Sequence, residues 1–227
     1  MGGFLFSPSL LSWYAITMYI PDTYPHIGIE VIPNNLDEAA LHRTALEVSC
    51  FMRDTVHRYY TDELGLKYID TDPAPATPED IAWRMGRIKN AEAENREYMV
   101  ARYLYGKPAT SPTTALAGLL ITQRVPHHEE DGVDLIDIVE WDVAKEERGN
   151  TARRGLGGIM LRHKFRFIDD DMGITLEVAE ANTSARAIYE HYGLQQYAVP
   201  VEHGVFDTKH IPLATEAGIL KHKLGLI

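Results

Sequence analysis

Hydrophobic and polar positions alternate at strand or helix period along nearly the whole chain. Ile27 to Ile32 (IGIEVI) switches between apolar and polar residues and is rich in β-branched side chains, which predicts a first strand. Asn35, with Glu38 three residues on, predicts a capped start for a long helix reaching about Tyr60. Leu41, Ala45, Val48, Phe51, Met52 and Val56 recur there at helical spacing. Asp70 to Thr77, with Pro73 and Pro75, has the composition of a linker. Thr77-Pro78-Glu79-Asp80 starts a second helix, with proline at the first helical position, running to about Asn95. Tyr98 to Tyr105 and Leu116 to Val125 have strand patterns joined by a turn over 106–114. A polar connection over 126–132 leads to a further strand, Asp134 to Val143. A helix from Gly155 to about Ile168, a strand from Ile174 to Ala179 and a short helix from Ser184 to Tyr192 follow. Gln195 to Val201 and Gly218 to Lys223 complete the pattern as strands.

Between that last loop and helix lies Arg153-Arg154-Gly155-Leu156-Gly157-Gly158-Ile159-Met160-Leu161. A basic, glycine-rich turn opening an apolar helix presents bare backbone N–H groups, and the helix N-terminus favours an anion. Further on stands Glu180-Ala181-Asn182-Thr183-Ser184-Ala185-Arg186-Ala187-Ile188-Tyr189, with its own strand in front. The two segments together, within Ala115 to Leu194, resemble the GNAT superfamily of N-acetyltransferases. Gly155 and Gly157 match the glycines of the family's pyrophosphate-binding pattern. Asn182, Ala185, Tyr189, Gly193 and Leu194 stand in register with its second signature, Asn-x-x-Ala-x-x-x-Tyr followed by Gly-Phe. Two positions depart from the family. Ala152 stands where Gln or Arg is usual, and the loop from Val143 to Gly155 is longer than is common, with Arg148-Gly149 as a displaced copy of its Arg-Gly.

The resemblance implies an α/β (α+β) fold: a mixed, mostly antiparallel twisted sheet flanked by helices, with acyl-CoA bound in the splay between central strands. It implies a domain over 27–227 preceded by an extension over 1–26. The implied activity is transfer of an acetyl group from acetyl-CoA to a primary amine, on a small molecule or peptide, by direct attack. An acyl-CoA-binding sensor or regulatory protein of the same fold, without transfer, is the alternative. Val143, Arg153, Arg154, Gly155, Leu156, Gly157, Gly158, Asn182 and Tyr189 then hold the cofactor. Arg148 joins the arginines facing its phosphates, and a backbone N–H of the strand before the loop polarises the thioester oxygen.

Such a transfer needs a base for the amine and a proton donor for the departing thiolate. Tyr189 matches the signature tyrosine and, as a phenol, is protonated at neutral pH. Its alternative role is packing between helix and sheet. Asn182 either bonds the pantetheine arm or caps its helix. The strand before the loop offers Asp137, Glu140 and Asp142, with Asp137 and Glu140 the candidates for base. Strict alternation puts Asp137 on the face of Val139, Trp141 and Val143, with Glu140 opposite.

Composition narrows the partners. Of 227 residues, 45% are hydrophobic, enough for a full core, and mean hydropathy is −0.22. Lys and Arg number 22 against 33 Asp and Glu, a formal charge of −11 that argues against nucleic acid and suits a cationic amine acceptor. Asp62, Glu63, Glu94 and Glu97 are acidic candidates for that acceptor site. The single cysteine, Cys50, excludes an internal disulfide framework and has the setting of a small buried hydrophobe. His127-His128-Glu129-Glu130-Asp131 has the spacing of a solvated loop rather than a metal site, so no metal is expected. Phe4 to Ile20 carries no charge, but Pro8 and scattered Ser, Trp and Tyr residues argue against a membrane span or signal peptide. It is expected to pack on the domain or on a second subunit, which makes a homodimer plausible and a cytoplasmic location the default.

Overall fold

The structure, a computed structural model, describes residues 22, 24, 26–68, 76–105, 115–126, 134–144, 147, 155–202 and 206–227. The apolar N-terminal run, the His127–Asp131 segment and Arg148, Arg153 and Arg154 lie outside the described residues. One seven-stranded sheet has the order β1-β2-β3-β4-β5-β7-β6. Its strands are β1 (Ile27–Val31), β2 (Arg96–Tyr103), β3 (Leu116–Val125), β4 (Leu135–Val143), β5 (Gly173–Ala179), β6 (Gln195–Gln196) and β7 (His210–Glu216). Every neighbouring pair is antiparallel except β4 and β5.

Helices cover both faces because the central strands carry apolar residues on both. Helices α1 (Glu38–Phe51) and α2 (Pro78–Lys89) bury Leu41, Ala45, Val48, Phe51 and Ile88 against Val100, Leu119 and Ile121. On the other face, α3 (Leu156–Phe165) and α5 (Ala217–Leu224) bury Leu156, Met160, Leu161, Leu220 and Leu224 against Met99, Leu120, Ile138 and Ile174. The short α4 (Thr183–His191) rests Ala185 and Tyr189 on that second core. Among the described residues no helix is long and apolar enough to cross a membrane.

Several expectations shift. Asp37, not Asn35, caps α1: its Oδ1 accepts the Ala40 N–H at 2.8 Å, while the neighbouring Asn34 donates to Glu92. The long first helix leaves α geometry at Phe51 and continues as two π-helical segments, Met52–His57 and Tyr59–Glu63. Helix α2 stops at Lys89 because the chain turns back through Asn95, which has a positive φ of 51°. The predicted strand over Gly218 to Lys223 is helix α5. Ala217, Leu220 and Leu224 are buried at helical spacing, and Gly225 ends the helix in the left-handed region at φ 72°. The strand before it, β7, was not predicted. Cys50 is half-buried rather than fully inside.

A further tie joins α1 to α2. Asp80, 2% exposed, accepts from the Ser49 hydroxyl, from the Ala76 N–H at 3.1 Å and from Arg84 Nε at 3.1 Å. This bracket fixes the covering layer over β3 and β4, and it holds Arg84 near the carboxylates of β4 described below.

Candidate active site

Strands β4 and β5 stay in register only from Leu135↔Gly173 to Ile138↔Leu176. Beyond those pairs both strands continue but part, and the gap opens a cavity of about 280 Å³. The second decisive irregularity lies in the same place. Ile121 pairs with Glu140 and Thr122 with Ile138, so Val139 is an extra residue in β4. A one-residue bulge reverses the alternation downstream of it. Asp137, Glu140 and Asp142, opposite Gln123, Ile121 and Leu119, consequently share the α1–α2 face. Trp141 and Val143 share the α3 face with Ile138. The strict alternation expected from the sequence is corrected at Asp137, which lies on the face of Glu140 and opposite Trp141, while Glu140 stays opposite Trp141 as expected.

The helix end is open. Gly155 is the N-cap of α3 in extended geometry (φ −67°, ψ 159°) and provides no side-chain cap. Gly155, Leu156, Gly157 and Gly158 all line the cavity, so the first-turn amides of α3 and the positive end of its dipole are presented there. Gly157 is required by close approach: a Cβ there would lie 2.9 Å from Trp141 Nε1. The Trp141 ring in turn stacks on Tyr189 (centroids 5.3 Å apart, 29° between planes) and tilts against Tyr192 at 5.8 Å. Ser184, Ala185, Ile188 and Tyr189 present one face of α4 to the same space. The helix is closed behind Tyr189 by Gly193 at φ 94°, with the Leu194 N–H donating to the Tyr189 carbonyl at 3.1 Å. Val143 also lines the cavity. Its neighbour Ala144 donates to Ala117 of β3 at 2.9 Å. Ladder alternation therefore turns the Val143 and Trp141 main chain away from β3 and toward the splay.

Asn182 is 8% exposed and its side chain is largely committed. Its Oδ1 accepts the Ala185 N–H at 3.1 Å as the N-cap of α4 and the Tyr59 hydroxyl at 3.3 Å, while Nδ2 donates to the Tyr60 hydroxyl at 3.4 Å. The capping role stands, and the only side-chain donor left for a pantetheine arm is the second Nδ2 hydrogen. Tyr59 and Tyr60 were missed by sequence reasoning because the π-helical turn rotates them out of the α register and into the cavity wall. The pair of adjacent tyrosines ending an amphipathic helix was the available signal. Burial pushes the Tyr60 phenol up to about 12, and its ring stacks on Phe206 at 4.7 Å.

The acidic candidates separate. Glu140 and Asp142 line the cavity, and so do Glu147 and Glu177, which sequence reasoning did not single out. Burial, then the Asp142 charge and a hydrogen bond to Asp142, raise Glu140 well above the ordinary carboxylate range, with Arg84 pulling the other way. Asp137 lies below the splay, outside the cavity lining, and accepts from Thr175 Oγ1 at 3.0 Å. Burial raises it too, and Thr175 lowers it. Asp62, Glu63, Glu94 and Glu97 do not line the cavity: Asp62 bonds Thr61, Glu94 is paired with Arg87 and Arg96, and Glu97 with Lys164.

No protein-family model matches the sequence, and no curated protein matches it. Solved structures do. A Desulfovibrio desulfuricans protein assigned to the GNAT family of acetyltransferases is 15% identical, with a TM-score of 0.51 over 84% of this chain and 99% of its own. Spermidine N-acetyltransferase from Vibrio cholerae, in complex with CoA and spermine, is 14% identical, with a TM-score of 0.52 over 86% and 98%. Ribosomal-protein-S5-alanine acetyltransferase from Vibrio fischeri is 11% identical, with a TM-score of 0.55 over 85% and 93%. The chain has the GNAT fold.

Proposed function

We propose that the protein transfers an acetyl group from acetyl-CoA to a primary amine by direct attack within a ternary complex. The observation that carries this reading is the juxtaposition of three features in one cavity. They are the uncapped N-terminus of α3, the phenol of Tyr189 and the carboxyl group of Glu140. The names of the structural neighbours, enzymes acting on spermidine and on a ribosomal alanine, support the reaction class.

The residues fit the donor. Uncapped amides of Leu156, Gly157 and Gly158 suit a pyrophosphate, and Gly157 leaves the approach clear. Arg153 and Arg154 belong to the same loop in sequence. Acetyl-CoA provides the thioester carbonyl. Main-chain groups of Trp141 and Val143, turned into the splay, are placed to bond its oxygen as charge develops there.

Glu140 takes one proton from the acceptor's ammonium, and the nitrogen lone pair attacks the carbonyl carbon. As the carbon–sulfur bond breaks, the Tyr189 hydroxyl gives its proton to the thiolate and recovers one from the acylated nitrogen. One proton per turnover leaves through Glu140. Glu140 serves this purpose better than Asp137, since it lines the cavity and a raised affinity for protons makes a stronger base. The test is calorimetric titration with acetyl-CoA followed by thiol release with a panel of primary amines. Micromolar binding and amine-dependent thiol release support the reading. Binding without release on any amine favours the sensor alternative, and no binding overturns both.

A further inference from the structure

We propose that Asp142 is the positioning partner of Glu140. The bulge at Val139 lays their carboxyl groups side by side on one wall of the cavity, where a single proton bridges them. The pair receives the acceptor as an ammonium ion and draws its proton. This deepens the acetyl-transfer reading and rests on it for the catalytic half of the statement.

Three observations carry it. Glu140 and Asp142 are two residues apart downstream of the bulge, so they project from the same face, opposite Ile121 and Leu119 of β3. Both line the cavity together with the rings of Tyr59 and Tyr60. Burial and the neighbouring Asp142 carboxylate both raise the proton affinity of Glu140, which favours one proton held between the two groups. Each element packed on the pair has a defined part. Helix α2 presents Arg84, held on its far side by Asp80. The second π-helical segment presents Tyr60, whose phenol is neutral at physiological pH, and β3 presents only apolar side chains.

Among the described residues lining the cavity there are four carboxylates, Glu140, Asp142, Glu147 and Glu177, and no Lys, Arg or His. Carboxylates and aromatic faces are the setting in which an alkylammonium is held. A proton shared by the pair leaves one negative charge, enough to attract that ammonium. Release of the shared proton as the cation arrives frees Glu140 as base. Asp142 therefore acts through Glu140, keeping its proton affinity high.

Asp142→Asn removes the neighbouring negative charge, so Glu140 holds its proton less tightly. The acid limb of kcat/KM then moves to lower pH, and the plateau falls about tenfold or more as the weaker base loses part of its contribution. Asp142→Glu keeps the charge and leaves the limb where the wild type has it. A role confined to packing lowers the plateau without moving the limb, and a limb fixed or moved upward in Asp142→Asn overturns the proposal. Carboxyl-carbon NMR of the substrate-free wild type reads the pair without any turnover. Two coupled carboxyl titrations, with the higher one lowered in Asp142→Asn, are expected, and two independent ordinary titrations refute the shared proton. Failure of acetyl transfer is recognised separately, by absent acetyl-CoA binding and thiol release, and leaves the NMR result standing.

Discussion

Gly157→Glu is the sharpest perturbation of the phosphate end of the cavity. The new Cβ meets Trp141 Nε1 at 2.9 Å and Cζ2 at 3.2 Å, so the indole has to give by a few tenths of an ångström. Overpacking of that kind costs about 1–3 kcal/mol. The carboxylate then projects from the first turn of α3 into the region where the pyrophosphate is proposed to sit. At about 5 Å and an effective dielectric of about 20, one unit charge repels another by about 3 kcal/mol, about two hundredfold in Kd. Gly157→Gln has the same bulk without the charge and isolates the electrostatic part. Both variants are titrated with acetyl-CoA by calorimetry at two salt concentrations, and melted in parallel. A carboxylate near a helix N-terminus is favourable for the fold, so Gly157→Glu melts no lower than Gly157→Gln. The Glu variant is expected to bind about two hundredfold more weakly than the Gln variant, by a margin that narrows with salt. Equal affinities for the two would refute the placement of a phosphate at this helix end.

Three further outcomes follow from the same geometry. Tyr189→Phe retains the ring that stacks on Trp141 but removes the proton donor, so kcat falls about a hundredfold while acetyl-CoA binding by calorimetry is kept. Asp80→Ala strips the buried carboxylate from Ser49, Ala76 and Arg84 and takes from the largely buried Arg84 guanidinium its ion-pair partner. It should cost about 3 kcal/mol, roughly a 10 °C fall in Tm by differential scanning calorimetry. Tyr60→Phe tests the phenol held at about 12. Because the folded protein keeps that proton up to about 12 while the unfolded chain loses it near 10, stability is unaffected below pH 10 and declines from there toward 12. Alkaline denaturation of the wild type is therefore steeper over that window than that of the variant, and parallel curves would refute the burial of this hydroxyl.

What was legible in the sequence was whatever depends on local period. Leu116–Val125 is a strand to the residue because its pattern is unbroken. Thr77-Pro78 starts α2 as expected because cap and proline act within one turn. The glycines at 155, 157 and 158 and, from the second segment, Asn182, Ser184, Ala185, Ile188 and Tyr189 line the cavity, and their fixed spacing is what made these segments visible in the sequence. Errors arose where period breaks. The bulge at Val139 inverts the face of every later residue in β4, which no alternation argument can anticipate, so Asp137 was assigned to the face of Trp141 and away from Glu140. The π-helical segments insert extra residues per turn and carry Tyr59 and Tyr60 to positions that an α register does not give. Helix α5 was misjudged because a short apolar segment reads equally as strand, and only its partners on α3 settle its form.

The two irregularities in β4 belong to one device. A regular β4 bonded to β5 throughout would close the sheet, and side chains of its two faces could never meet. Parting the strands after Ile138 and Leu176 opens the sheet from one face to the other. The bulge at Val139, placed at the same level, then decides which side chains look in from each face. From the α3 face come Trp141 and Val143, beside the open helix end that suits an anionic donor. From the α1–α2 face come Glu140 and Asp142, beside tyrosines that suit a cationic acceptor. In the proposed reaction, opposite charges thus enter from opposite sides of one strand. Deleting Val139 would make Ile138↔Thr122 and Glu140↔Ile121 consecutive pairs, so the ladder becomes regular with Glu140 and Asp142 still on the α1–α2 face and Trp141 and Val143 still on the α3 face. Because the faces are kept, a folded deletion variant should retain its acetyl-CoA affinity. A markedly weaker acetyl-CoA Kd in a folded deletion variant, measured by calorimetry, would refute this division of the strand.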